Sequence, residues 1–478
     1  MTLNDEIFDI HYNKYDSVNN HLKKNEALND FEIAFILLTT SCISFHLFYE
    51  TNKIIIQNRY KKIYEQINSK STISFNEFIN ALKELGKNIR DMHSYISFLE
   101  PKKETPTFLN FSERLYSFIS LENFTKEKLN YICKEQNLIF SNLEVITKNT
   151  TILLNKFYAA PTIDHKYKII VFTERRQSNN LILKSDNDMH FEMTPYIADF
   201  SMIEKFRKKF NSHISTFWEL PDFTTPEKQY YEWYSYLEKT IDEAKCKKVL
   251  IIDNRGNLGG NPGRLIHLFE SLFGLTTDKI PEKFKNEKEI NLDDFETPTL
   301  LSYSIAKSSL IMLEDNPYYL LGTEQIKKTW KKYLKKYNKQ KNNCSIYIPS
   351  NKNNPWWMQS QDFVKNYNFT GTIILIFDTR TASTGEALYE ILKMQFHYEK
   401  IIIIGSNSSG CIAYCNPNCY KLPNSKVHLS LTCAYEDYNE ENNYIRTKVE
   451  GIGFIPDYWI CSEIELYNII NQIIGEIQ

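Results

Sequence analysis

The 478-residue sequence lacks an excess of charge of either sign: 57 basic residues stand against 59 acidic ones, for a net charge of -2. No global field therefore draws it to nucleic acid or to an anionic membrane, and partner choice must come from a local site. It also lacks an apolar run of the roughly 20 residues that a bilayer span requires. Its most hydrophobic stretch, FEIAFILLTTSCISFHLFYE at 31–50, carries Glu32, His46 and Glu50 and reads as a buried helix. A basic-then-apolar leader is missing too. The opening MTLNDEIFDIHYNKYD is acidic and polar, so secretion by that route is not expected and a cytoplasmic location is. Nine cysteines, an odd number with no compact spacing, do not make a disulfide framework and fit a reducing compartment. No repeat of fixed period is visible, which excludes a solenoid.

What is present is an ordinary globular composition, 42% hydrophobic and 14% aromatic, enough to bury the cores of two or three domains. Residues 1–100 carry apolar positions three and four apart, as in SFNEFINALKELGKNIRDMH, and read as a helical domain. Ser74 with Glu77 three residues on has the pattern of a capping box. Residues 101–204 are mixed α/β, with strand candidates in HKYKIIVFTE and NLILKS. From 205 to 478, apolar strands alternate with helices: KKVLIID, then a glycine turn and a helix, then TIILIF, a second helix and KIIIIG. That alternation predicts an α/β core. Within it, residues at about 275–365 form an insert whose basic run, TEQIKKTWKKYLKKYNKQKNN, reads as the solvated face of an amphipathic helix.

Two corners of this core could carry chemistry. DNRGNLGGNPG at 253–263 lies between a strand and a helix, where free backbone N–H groups make an anion site. It carries neither G-x-G-x-x-G nor G-K-[ST], which disfavours a nucleotide. Gly259 and Gly260 could instead bring the backbone up to a substrate carbonyl, or the turn could simply connect. The second corner is DTRTASTGEAL, where Ser383 stands between strand and helix, as an N-cap or as a nucleophile. A nucleophile needs a base. Of the ten histidines, His93 in RDMHSYISF stands out, between a helix and an extended segment and flanked by Asp91 and Ser94.

VLIIDNRGNLGG, DTRTASTGEAL, IIIIGSNSSG, RDMHSYISF and VEGIGFIPD together resemble the motifs of the C-terminal-processing and tricorn-like serine peptidases, the tail-specific protease superfamily. The resemblance implies a crotonase/ClpP-like core of strand and helix repeats, with an N-terminal helical domain carrying the base. It makes Ser383 the nucleophile, and Thr384 N–H with Gly259 or Gly260 the oxyanion hole. Where one branch of the family places a lysine base, this chain has Cys411, so the resemblance points to the histidine branch, with His93 as base and Glu450 as the carboxylate that orients it. Ser94 would support the site, and Asp457 is the second candidate for the carboxylate. No cofactor or metal is implied. The substrate would be a peptide or unfolded protein, with no nucleic acid or membrane partner, and an oligomer is left open. No PDZ pattern is visible in 101–204. A ligand-binding protein on the same fold, or an esterase, are the other readings. Cys411, Cys415 and Cys419, spaced C-x3-C-x3-C, miss the iron–sulfur spacing and suit zinc poorly, leaving a disulfide or free thiols.

Overall fold

The structure, a computed structural model, describes residues 15–273 and 369–478 apart from 88, 113, 136–137, 142–143, 148–155, 174–180, 185–189, 221, 224–226, 261–264, 266–267, 269–270, 396–397 and 436–448. The insert expected at about 275–365 lies outside the described residues. The architecture is mixed α/β, with four sheets among the described residues. These residues fall into two compact units, one from Met1–Glu113 and Ala413–Glu450, the other from Arg114–Lys285, Asn354–Ile412 and Gly451–Gln478.

In the first unit, helices Lys24–Ser41, Ile43–Thr51, Lys53–Asn68 and Phe75–Leu85 pack with a four-stranded antiparallel sheet. The run at 31–50 is two helices rather than one. They bend by 89° at Cys42, whose backbone is extended (φ -107°, ψ 108°). Phe31, Leu37, Leu38 and Phe45 are nevertheless fully buried in the unit's core. Among the described residues no single helix is long and apolar enough to cross a membrane. Ser74 caps the helix Phe75–Leu85: its hydroxyl accepts Glu77 N–H (3.3 Å), and the Glu77 carboxylate accepts Ser74 N–H (3.0 Å). The helix then buries Phe75, Phe78, Ile79, Leu82 and Leu85, the positions set by its 3.6-residue period. In the sheet, Tyr95–Phe98 lies between Thr107–Asn110 and His428–Tyr435, with Ile96 opposite Leu429. A segment from far along the chain is thereby stitched to the strand that begins two residues after His93.

The second unit is built on a five-stranded sheet of parallel pairs: β1 (Ser215–Glu219), β2 (Val249–Asp253), β3 (Thr372–Phe377), β4 (Ile401–Gly405) and β5 (Tyr458–Trp459). Their apolar runs suit strands covered on both faces. Leu250, Ile251, Ile252, Ile373, Ile374, Leu375 and Ile376 are indeed fully buried. Asp253 pairs with Ile376, and Phe377 with Gly405. Parallel strands in this register deliver the glycine turn after β2, the serine corner after β3 and the loop after β4 to one end of the sheet, the end where open α/β sheets bind ligands. A seven-stranded antiparallel sheet belongs to the same unit and includes Tyr167–Thr173 and Leu181–Lys184, strands expected from the sequence. The helix Glu463–Ile477 buries Leu466, Ile470 and Ile473 against this unit's core.

Candidate active site

After β3 the chain turns sharply into the short helix Thr384–Glu390. Asp378, buried at the end of the strand, shapes the turn by accepting N–H bonds from Gly256 (2.9 Å), Arg380 (3.1 Å) and Thr381 (3.1 Å). The turn places Ser383 at φ 52°, ψ -123°, a conformation that costs a non-glycine residue on the order of 1–3 kcal/mol. An ordinary N-cap has extended backbone. Here the Glu386 amide donates to the Ser383 carbonyl (2.8 Å), while Ser383 N–H is shared between the Glu386 carboxylate (3.2 Å) and the Cys411 carbonyl (3.0 Å).

Glu386 is fully buried and braces the corner against the loop after β4. It accepts bonds from the Ser408 hydroxyl (2.6 Å), Gly410 N–H (2.7 Å) and Cys411 N–H (2.8 Å). Burial pushes its carboxyl up to about 7, and these bonds oppose the rise.

The glycine turn is tied to the same corner by two asparagines. Asn254 donates to the Gly385 carbonyl (2.7 Å) and accepts from the side chain of Asn257 (2.9 Å). Asn257 in turn accepts Gly259 N–H on its side chain (2.9 Å) and Ala382 N–H on its carbonyl (2.9 Å). The Thr384 hydroxyl donates to the Gly260 carbonyl (2.7 Å). Gly259 has φ +95°, and a Cβ there would meet Ser383 Cβ at 2.7 Å and Thr384 N at 2.7 Å. Only glycine fits, so the turn and the serine are in contact. Behind the turn, Arg255 is buried between Asp253 (2.7 Å) and Glu463 (2.6 Å), which fixes it to the helix Glu463–Ile477.

His93 and Glu450 belong to the first unit, together with Asp91 and Ser94. His93 is half-buried, and one ring nitrogen, one Asp91 oxygen and one Glu450 oxygen all lie within 4.8 Å of one another. Glu450 is buried and accepts Met92 N–H (2.9 Å) and Ala413 N–H (2.8 Å). Asp91 accepts the N–H groups of His93 (3.0 Å) and Ser94 (3.0 Å) and the hydroxyls of Ser44 (2.6 Å), Ser94 (2.6 Å) and Thr432. Burial lowers the His93 pKa from its ordinary value; the Asp91 charge and a hydrogen bond with the Tyr414 backbone oppose this. The neutral imidazole that results is the form a general base requires.

The structure thus gathers Ser383, Thr384, Gly259 and Gly260 in one unit, and His93, Ser94 and Glu450 in the other. Asp457 lies in the second unit, where its carboxylate accepts Ile403 N–H (2.8 Å) and joins β4 to the start of β5. Cys419 is a free thiol, and Cys411 is buried beside the serine corner, its carbonyl accepting Ser383 N–H. The sequence reading assigned no site role to Asp91, Asn254, Asn257, Glu386 or Ser408. The S-x-x-E spacing of Ser383 and Glu386 was a visible signal for Glu386.

A profile of Peptidase family S41 matches residues 213–459, more than half of the chain. No curated protein matches it in sequence. Among solved structures it is similar to the tricorn protease, at 13% identity and TM-score 0.39, over 95% of this chain and 37% of that one. It is also similar to mature CPAF complexed with lactacystin (11% identity, TM-score 0.41, 95% and 97% covered). A third is a putative peptidase from Parabacteroides merdae (12% identity, TM-score 0.39, 95% and 97% covered). The chain spans little more than a third of the length of the tricorn protease.

Proposed function

The chain belongs to peptidase family S41 and is a serine-type peptidase, and on that premise we propose that it cleaves peptide bonds by a Ser-His-Glu mechanism through Ser383, His93 and Glu450. Ser383 Oγ attacks the scissile carbonyl as His93 takes its proton. The oxyanion is held by Thr384 N–H at the start of the helix and by Gly260 N–H. Of the two glycines, Gly260 suits this role better, because Gly259 N–H is already given to Asn257. His93 then protonates the leaving amine, and water resolves the acyl-enzyme by the same steps in reverse. Glu450 holds the amides of Met92 and Ala413 and, with Asp91, offsets the charge the imidazole acquires. We read the parallel sheet with its helices as a crotonase/ClpP-like core, and the helices of residues 1–100 as the domain that supplies the base. A peptide or unfolded segment would bind as an added strand, which presents its carbonyl to the glycine turn.

The observation that carries this reading is Ser383 held at positive φ with Gly259 against its Cβ. Strain is retained at a position that ordinary capping would not need. The test is hydrolysis of a denatured protein, followed by the appearance of new amino termini, for the wild type, Ser383→Ala and His93→Ala. Loss in both variants supports the reading. Undiminished hydrolysis in either, or none by a folded wild type, contradicts it.

A further inference from the structure

Two buried carboxylates flank one imidazole in the first unit, and they are held in different ways. The oxygens of Glu450 accept the amides of Met92 and Ala413, one each. Asp91 instead accepts the amide of His93 itself, that of Ser94, and three hydroxyls from Ser44, Ser94 and Thr432. Its own N–H donates to Ser112 (2.8 Å). Five hydrogen-bond donors converge on this fully buried carboxylate, and each bond stabilises negative charge on it. An Asp91 oxygen lies within 4.8 Å of an imidazole nitrogen, close enough to act on that ring through a buried medium where charges are poorly screened.

We propose that Asp91 is the positioning residue of His93: it fixes the imidazole's backbone through Asp91 Oδ1, and its charge, more than that of Glu450, stabilises the imidazolium formed when Ser383 gives up its proton. This rests on the reading of His93 as base. In support, Asp91 is the charge that opposes the effect of burial on His93, and the Tyr414 backbone adds to it. Of the other titratable groups on this side, Cys42 faces Ser94 and Ser44, and burial pushes its thiol up to about 11, so it stays neutral. Glu450 faces the ring from the turn at 449–450. The three hydroxyls have a further consequence. Each one draws negative charge off Asp91, so they set how much of its field reaches His93.

The test is the titration midpoint of His93, read from its imidazole C–H resonance in the full-length protein and assigned by its disappearance in His93→Gln. Asp91→Asn is expected to lower the midpoint by about one unit, and Glu450→Gln by less. An equal or smaller effect of Asp91→Asn overturns the proposal. Because Asp91→Asn removes a net of bonds and can unfold the unit, Thr432→Val is the second variant. It keeps the shape and withdraws one donor, so the midpoint should rise. An unmoved midpoint in Thr432→Val also overturns the proposal, because a structural bond alone would not shift it. The midpoint does not depend on catalysis, so failure here is distinct from failure of the Ser-His-Glu reading, which the loss of hydrolysis in His93→Ala tests separately. In the folded variants, Asp91→Asn should lower kcat with KM little changed.

Discussion

The serine half and the histidine half of the proposed site are built by different means. Around Ser383 the work is done by backbone: parallel strands end together, a glycine lies against the serine, and two asparagines bridge the turns. Around His93 it is done by buried charge, with Asp91 accepting two amides and three hydroxyls and Glu450 accepting the amides of Met92 and Ala413. The serine half therefore has no slack in shape, and its buried charges, Asp378, Glu386 and the Arg255 ion pairs, serve to lock the turns. The histidine half can be tuned by changing a single hydroxyl. Substitutions that add atoms should damage the first half most, and those that change charge the second.

The largest effect is expected from Gly259→Ala. The added methyl meets Ser383 Cβ and the Thr384 amide at 2.7 Å, in a turn that already needs positive φ. A misplacement of about 1 Å costs roughly 100-fold in rate, and overpacking and strain together destabilise by ~2 kcal/mol or more. Peptide hydrolysis and thermal unfolding check both. Next is Asn257→Ala, which leaves the buried Gly259 N–H without its acceptor at a cost of about 1–3 kcal/mol. Here kcat should fall on the order of tenfold with KM little moved, the signature of a loss felt in the transition state.

Why the serine half was more legible than the histidine half follows from distance along the chain. Strand, turn, serine and helix are consecutive in TIILIFDTRTASTGEAL, and the apolar period marks them without any tertiary information. The bracing by Asn257 was not legible, because its side chain bonds back to the turn that contains it. Asp91 was harder still: its donors come from Ser44, Ser94 and Thr432, joined only when His428–Tyr435 pairs with Tyr95–Phe98. Glu450 is singled out by family resemblance alone; no period or spacing marks it. The bend at Cys42 gave no warning either, since neither glycine nor proline marks it.

Smaller in size is the pH response. Burial depresses the His93 pKa, so kcat/KM should keep its neutral-base form below the ordinary imidazole value of 6.5, and its acid limb should lie under that value. The sign for stability follows from the same shift. The folded state disfavours the protonated ring, so His93 contributes stability that is present above 6.5 and lost as pH falls through that window. An acid limb above 6.5 would refute this. The smallest effect is a control outside both halves: Ser74→Ala removes the cap of the helix Phe75–Leu85 and should cost about 1 kcal/mol, with kcat and KM unchanged.

The central claim, that Ser383 and His93 act as one device although they arise in separate units, is tested most directly with a fluorophosphonate. The probe is reacted with the wild type and with His93→Ala, and the adduct is mapped by peptide mass. The account predicts an adduct on Ser383 in the wild type that is lost or greatly slowed in His93→Ala. An adduct on another residue, or equal labelling of Ser383 in both proteins, would contradict it.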